Sequence, residues 1–514
     1  MVQASHVDES TDEFKTKENS PPSWLKRARI IAALIYIFLQ TAYFIFIIVC
    51  IAVYPRCQQA AETPWWLNSV FLRFSTPTMK FNDLNEKLTD YKNNFSMQTI
   101  WLSSVLPLSN ELNPLTWTDI DATLGNNSTL INLIDRAHEN NIRIIVDYPL
   151  NHLSIQSSYF ISNDDDYFVW NEQGNTSNWM TIDNNQESAW TFNNRKNSFY
   201  LHQFYDNHDS IDINYRNNRV LNDTINSFSY WNRNFQFDGF NLQGISYTYE
   251  DYEYRNETDN IKRTRHLDED YLLLARIRTE IDKEKILLLD SIDSLATTND
   301  EFLTRYYGDK NGYLGGVQLA SLNNFILIDE FQTNITMLFN NYYNSIFIKQ
   351  DQPFIWSSLS INSKLNEAFF AACLFHKGAI SIDINKQGEQ FTNDQLDRLR
   401  QITKFAQTLD VFRVGNIQQN ILSNSQFLTI ERTRRGARHH MIIINFSNTE
   451  QEDTIELKDG VTNAVEVLVT NILDSGTKYE TNALIDMTKS IRLKPYEYLI
   501  IRWSPSIDGL GIIF

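Results

Sequence analysis

Apolar residues fall into three successive patterns along the chain. The first is an unbroken run, Ile30–Tyr54, "IIAALIYIFLQTAYFIFIIVCIAVY", uncharged and apolar on every helical face. A helix of that length rises 1.5 Å per residue and crosses the roughly 30 Å hydrocarbon core of a bilayer with room to tilt. A core helix would keep a polar face, and the apolar part of a cleaved signal is shorter, about 7–15 residues. The run therefore predicts a membrane span, between a polar tail over residues 1–29 and a short stem over 55–64.

The second pattern, over residues 65–410, alternates strand and helix periods. "VFLRF" (Val70–Phe74) and "TIWLSS" (Thr99–Ser104) read as buried strands. "FNDLNEKLTDYKNNF" and "STLINLIDRAHENN" between and after them carry apolar residues at helical spacing, with Ser128 as the expected cap of the second helix. "IRIIVDYPLNH" is a strand running into a loop, followed by an irregular, aromatic-rich insert over about 153–225. The helix "TINSFSYWNRN", the strand "FQFDGFNL", then "ARIRTEIDKE" and "ILLLDS" resume the order; "SIFIKQ" and "AISIDI" read as later strands. No strand is legible between Asn299 and Asn344. Such alternation predicts a parallel α/β domain, either open or closed into a barrel. The third pattern, residues 411–514, is strand-only: "SQFLTIER", "HHMIIINFS", "AVEVLVTN" and "KSIRLKPYEYLIIRW" predict an antiparallel β-sandwich.

Charge refines this picture. The net charge of −18 over 514 residues argues against a nucleic-acid partner. Lys26, Arg27 and Arg29 precede the span and Arg56 stands almost alone after it, which places the N-terminus in the cytoplasm and the rest outside. All Asn-x-Ser/Thr sequons lie beyond the span, at Asn94, Asn126, Asn127, Asn175, Asn222, Asn256, Asn334 and Asn445. Of the three cysteines, Cys50 is within the span and Cys373 within the apolar "AFFAACLF". Cys57 has no evident internal partner, which leaves an intermolecular disulfide, a free thiol or a lipidated cysteine. The pair His439–His440 reads as two rings at a hairpin start, and no metal or cofactor is implied.

The strand ends resemble those of the α-amylase family. "DYPLNH" (Asp147–His152) is similar to its Asp-x-x-x-Asn-His signature, and "FDGFNLQG" stands where the family has Gly-Phe-Arg-x-Asp-Ala. The resemblance implies a (β/α)8 TIM barrel with a small inserted domain. It also implies that the nucleophile position is Gln243, that Asn241 replaces the family's arginine, that Asp290 or Ser291 aligns with the proton donor, and that Asp351 aligns with the third carboxylate. A retaining glycosidase needs two carboxyl groups about 5 Å apart, and an amide forms no glycosyl ester, so this reading expects a degenerate site and no catalysis. The order of tail, span, "YPRC", stem and barrel further resembles the heavy chains of heteromeric amino acid transporters. That resemblance implies a type II plasma-membrane glycoprotein, disulfide-linked through Cys57 to a multi-span light chain. A membrane-anchored α-glucosidase-like enzyme and a sugar-binding receptor are the alternatives.

Overall fold

The computed structural model describes residues 22–53, 64–74, 79–109, 113–172, 174, 176–182, 187–204, 208–258, 261–289, 300–308, 316–321, 354–357, 363–385, 391–422, 427–457, 465–472 and 479–504. The chain divides into two units, Met1–Glu62 and Thr63–Phe514.

In the first unit one helix runs from Ser23 to Val53. Its segment Ser23–Val49, with mean hydropathy 2.3, is long and apolar enough to cross a membrane. The helix starts before the apolar run, so Ser23–Arg29 are helical rather than part of an extended tail. Pro22 sits at its entrance and its carbonyl accepts from the Leu25 and Lys26 amides. A proline is tolerated there because the first amides of a helix have no internal acceptor. Thr41 returns its hydroxyl to the Ile37 and Phe38 carbonyls, at 3.0 and 2.9 Å, which satisfies this surface polar group within the helix.

The second unit is built on a closed parallel barrel of eight strands. They are β1 Val70–Phe74, β2 Thr99–Leu102, β3 Arg143–Pro149, β4 Gly239–Gln243, β5 Ile286–Leu289, β6 Leu319–Ser321, β7 Phe354–Ser357 and β8 Gly378–Asp383. Closure follows from the pairing of β1 with both β2 and β8. Side chains alternate along each strand. Val70, Leu72, Ile144, Val146, Phe240, Leu242, Leu287 and Leu289 belong to the large core shared with the helices. Their neighbours Phe71, Trp101, Ile145, Ile286, Leu288, Leu319, Ile355 and Ala379 fill the lumen, with Trp65 and Trp66 packed against them.

The helices follow their apolar spacing. Asn127–Glu139 buries Leu130, Leu133, Ile134 and Ala137. Its cap is Asn126 and not Ser128: the Asn126 side chain accepts from the Thr129 amide, and the Thr129 hydroxyl accepts from the Asn126 amide. This capping box satisfies two otherwise orphaned donors. The helix Asn218–Phe235 begins earlier than its apolar pattern, so the insert ends near residue 217 rather than 225. The insert is not irregular: it holds a three-stranded antiparallel sheet of Trp170–Asn171, Ser198–Leu201 and Trp190–Asn193. A two-stranded ribbon, His152–Ser154 with Ser210–Asp212, ties it to the end of β3.

β6 and β7 depart from the sequence reading. β6 has only three residues, too few for an alternation signal. "SIFIKQ" lies outside the described residues, and the seventh strand is the later "FIWS". The last region opens with a short helix, Asp410–Val414, and its first strand, Asn416–Ile421, precedes the first one read from the sequence. They form a six-stranded antiparallel sheet and a two-stranded ribbon. One face of the sheet shares the barrel core through Leu428, Ile430, Ile442 and Tyr498. The other face encloses a second cluster with Met441, Val467, Leu499 and Trp503.

Among the sequons, Asn94, Asn126, Asn127, Asn222 and Asn256 are exposed, while Asn175 and Asn334 lie outside the described residues. Asn445 is corrected. It is fully buried, and its Nδ2, the atom a glycan would occupy, donates to the Thr449 and Leu493 carbonyls at 2.8 and 2.9 Å. The folded chain has no room for a sugar there. Cys373 is buried in the helix Ser363–Phe375, and burial pushes its thiol well above the ordinary range. Cys57 lies outside the described residues.

Candidate active site

One step beyond the apolar lumen, toward the C-terminal ends of the strands, the inward positions turn polar. Asp147 on β3 and Asn241 on β4 are register partners. The Asn241 amide donates to Asp147 Oδ1 at 2.7 Å, and the Trp101 indole donates to the same oxygen at 2.7 Å. Arg73 on β1 lies 4.3 Å over the Trp101 ring, with its Nη2 3.6 Å from Asp147 Oδ2. A carboxylate whose side chain is 5% exposed is thus met by a cation and two neutral donors, as burial of a charge requires. Sequence reasoning registered the loss of the family's arginine at Asn241 but missed that a cation reaches the lumen from β1. The signal was available: Arg73 interrupts an otherwise apolar strand at an inward position.

The rest of the Asp-x-x-x-Asn-His signature joins the insert to the end of β4. Asn151 donates to the Tyr247 carbonyl at 2.6 Å and to Asp212 Oδ2 at 3.3 Å. Asp212 also accepts from the Gln203 amide and side chain, at 3.0 and 2.8 Å. Burial pushes its carboxyl up to about 7 against these donors. His152 is buried, its ring centroid 5.3 Å from that of Phe204, and burial lowers its pKa to about 3, so the imidazole is neutral. Glu250, on the loop after β4, is likewise raised to about 7 by burial, opposed by Arg216.

Gln243 ends β4 half-buried, and its carbonyl accepts from the Leu150 amide at 2.9 Å. The chain then turns at Gly244, with φ +74. A Cβ there would meet Asn151 Cβ at 2.9 Å and the Phe204 ring at 3.2 Å. The family's alanine at this position is therefore incompatible with this turn. Gly244→Ala is expected to cost roughly 1–3 kcal/mol, read as a lower denaturant midpoint at unchanged slope.

Asp290 follows β5 directly but lies outside the described residues, as does Asp351. The described part of β7 ends at Ser357. Asp238, at the start of β4, is a structural carboxylate: it pairs with His138 and Arg143, each at 2.8 Å. Burial pushes it up, but these partners and the Ile144 amide hold it below the ordinary range. Among the described residues no group of three His, Cys, Asp or Glu is placed to hold a metal ion.

A closed eight-stranded parallel barrel with polar groups gathered at the C-terminal ends of β3 and β4 defines a (β/α)8 scaffold with its candidate site at that face. The chain belongs to the α-amylase family: the family's catalytic domain matches residues 80–350. It is similar to an α-glucosidase of Apis mellifera, 27% identical over 253 residues, 42% of each chain. It is similar to the amino acid transporter heavy chain SLC3A1 of Rattus norvegicus, 26% identical over 235 residues, 41% of this chain and 33% of that one. It also resembles a trehalose synthase of Pimelobacter, 26% identical over 255 residues, 45% of this chain and 42% of the relative. The match thus spans less than half the length of these relatives. The fold matches trehalose-6-phosphate hydrolase of Bacillus licheniformis with a TM-score of 0.68, at 15% identity, over 85% of this chain and 99% of the other.

These relatives overturn one expectation. The amides at Asn241 and Gln243 predict a chain without catalysis, yet relatives matched over the barrel are enzymes, an α-glucosidase and a trehalose synthase, and they point to an enzyme here. The physical reason the expectation overreached is that it took substituted residues at the motif positions to exclude every route to hydrolysis. An amide at 243 excludes one route, a glycosyl ester on that residue, and leaves direct attack by water open.

Proposed function

We propose that the protein is a membrane-anchored enzyme of α-glucosidase type, acting on α-linked glucosides outside the cytoplasm. The observation that carries this is the intact Asp-x-x-x-Asn-His signature: Asp147 anchors the lumen, and Asn151 and His152 join the insert to the end of β4. Asp290, directly after β5, is the candidate proton donor. With Gln243 at the nucleophile position, water attacks the anomeric carbon itself and gives its proton to Asp147, the lumen carboxylate beside Asn241, while Asp290 protonates the leaving oxygen, and the configuration inverts. The test is to incubate full-length protein in detergent with maltose and follow the first product by NMR. Release of β-glucose supports the reading. Release of α-glucose means that another carboxylate serves as nucleophile, and no release removes the enzymatic reading.

A second reading rests on the helix Ser23–Val53 and on the similarity to a transporter heavy chain. In it the chain also serves as the ancillary subunit of an amino acid transporter at the plasma membrane, bound through Cys57 to a multi-span light chain. Native membranes run without reductant are expected to show a larger species that collapses on reduction and is absent for Cys57→Ser. A single monomeric band in both lanes would refute the covalent partner.

A further inference from the structure

Among the described residues Asp147 is paired with one cation, and that cation reaches it from two strands away. Arg73 on β1 is the register partner of Trp101 on β2, and Asp147 lies on β3 beyond it. The guanidinium crosses β2 by lying over the indole ring, 4.3 Å from its centroid. The same indole donates to Asp147 Oδ1 at 2.7 Å, so Trp101 holds both members of the pair. The two carboxylate oxygens are left in different states. Oδ1 is tied twice, by Trp101 and by Asn241, each at 2.7 Å. Oδ2 accepts no hydrogen bond among the described residues: its charged neighbour is Arg73 Nη2 at 3.6 Å, beyond hydrogen-bond range. Arg73 Nε is buried and also makes no hydrogen bond among the described residues. Native structures carry few such atoms, and a role in catalysis is one reason for them.

We infer that Arg73 is a positioning residue for the hydrolysis: it supplies the charge that the Asp147 carboxylate needs in the closed lumen, and it leaves Oδ2 open to take the proton of the attacking water. This rests on the reading of Asp147 as the base. A carboxylate withdrawn from water is costly, and a neutral carboxyl cannot accept the proton. A cation donating directly to Oδ2 would meet the cost but occupy the acceptor. Arg73 attracts the carboxylate from a distance that leaves that acceptor free. The side chains are 16% and 5% exposed, so solvent screens the pair little. In the step itself the water oxygen bonds to the anomeric carbon, its proton passes to Oδ2, and the leaving oxygen takes a proton from Asp290. Around the pair, His152 after β3 is neutral. Asp383 on β8, the register partner of Arg73, accepts from the Asn385 amide at 3.0 Å. Asp290, after β5, is a second acid and lies outside the described residues. None of these three replaces the cation.

Full-length protein in detergent is assayed with maltose across the acidic and neutral range, and kcat/KM is followed against pH. Arg73→Met removes the charge, so Asp147 should stay protonated to higher pH. The acid limb of the profile is expected to move up by about one unit or more, a loss of about tenfold or more below the limb, with a far smaller change on the plateau above it. Arg73→Gln, closer in shape, is the second neutral variant should Arg73→Met not fold. Arg73→Lys keeps the charge and should hold the limb near its wild-type position, although an ammonium lies less well over the indole. An active wild type whose limb the neutral variants leave in place would overturn the role of Arg73 and leave the enzymatic reading standing. So would a limb moved as far by Arg73→Lys as by Arg73→Met. A wild type that releases no glucose would instead remove the enzymatic reading, and this role with it.

Discussion

Asp290→Asn is expected to lower kcat/KM toward maltose by roughly a thousandfold, within the range of about 10²–10⁴ that general acid catalysis contributes. The thermal midpoint should not move. The argument begins with the strand: β5 ends at Leu289, and in a parallel barrel the residue that follows enters the face where reacting groups collect. A sugar alkoxide leaves slowly unless it is protonated as the bond breaks, and an amide has no proton of suitable acidity to give. The loss must therefore depend on the leaving group. Turnover of α-glucosyl fluoride, whose fluoride departs without a proton, should fall far less than turnover of maltose. Equal losses on the two substrates would show that Asp290 positions the substrate and is not the acid. Gln243→Asp supplies the companion result. A carboxylate at the end of β4 permits a glycosyl ester, so the product should change from inverted to retained configuration.

Glu367→Ala is expected to give the largest loss of stability, about 3–5 kcal/mol. Glu367 lies on the helix Ser363–Phe375 with its side chain 1% exposed. It accepts from Arg398 Nε at 2.6 Å and Nη2 at 3.0 Å, and from the Tyr498 hydroxyl at 2.9 Å. Arg398 belongs to the helix Asn393–Thr408 and Tyr498 to the strand Tyr498–Trp503. One carboxylate therefore joins two barrel helices to the C-terminal sheet. Its removal strands a part-buried guanidinium and a buried phenol whose ionisation is pushed well above its ordinary range, first by burial and then by Glu367. A denaturation series should show the full loss for Glu367→Ala, and a substantial recovery when Arg398→Met is added. The second change removes the uncompensated charge. If the double variant is no more stable than Glu367→Ala, the cost arises from lost packing and not from the stranded cation.

What the chain order alone determined is the set of local periods and local motifs. The uncharged run predicted the span, because hydrocarbon accepts only a helix whose backbone is internally satisfied. Strand and helix periods placed most barrel elements, because each buries one face in every turn or every second residue. The Asp147–His152 signature was legible because its residues are close in sequence. Tertiary structure decided the rest, and distance along the chain is the reason. Barrel closure depends on β1 pairing with β8, some three hundred residues apart. The three-residue β6 has no period of its own and exists only between its neighbours. The lumen cation comes from β1 and not from β4, because inward positions of neighbouring strands meet only when the barrel closes. Asn445 fits a glycosylation motif in sequence, and only the packing of the last sheet removes it from solvent.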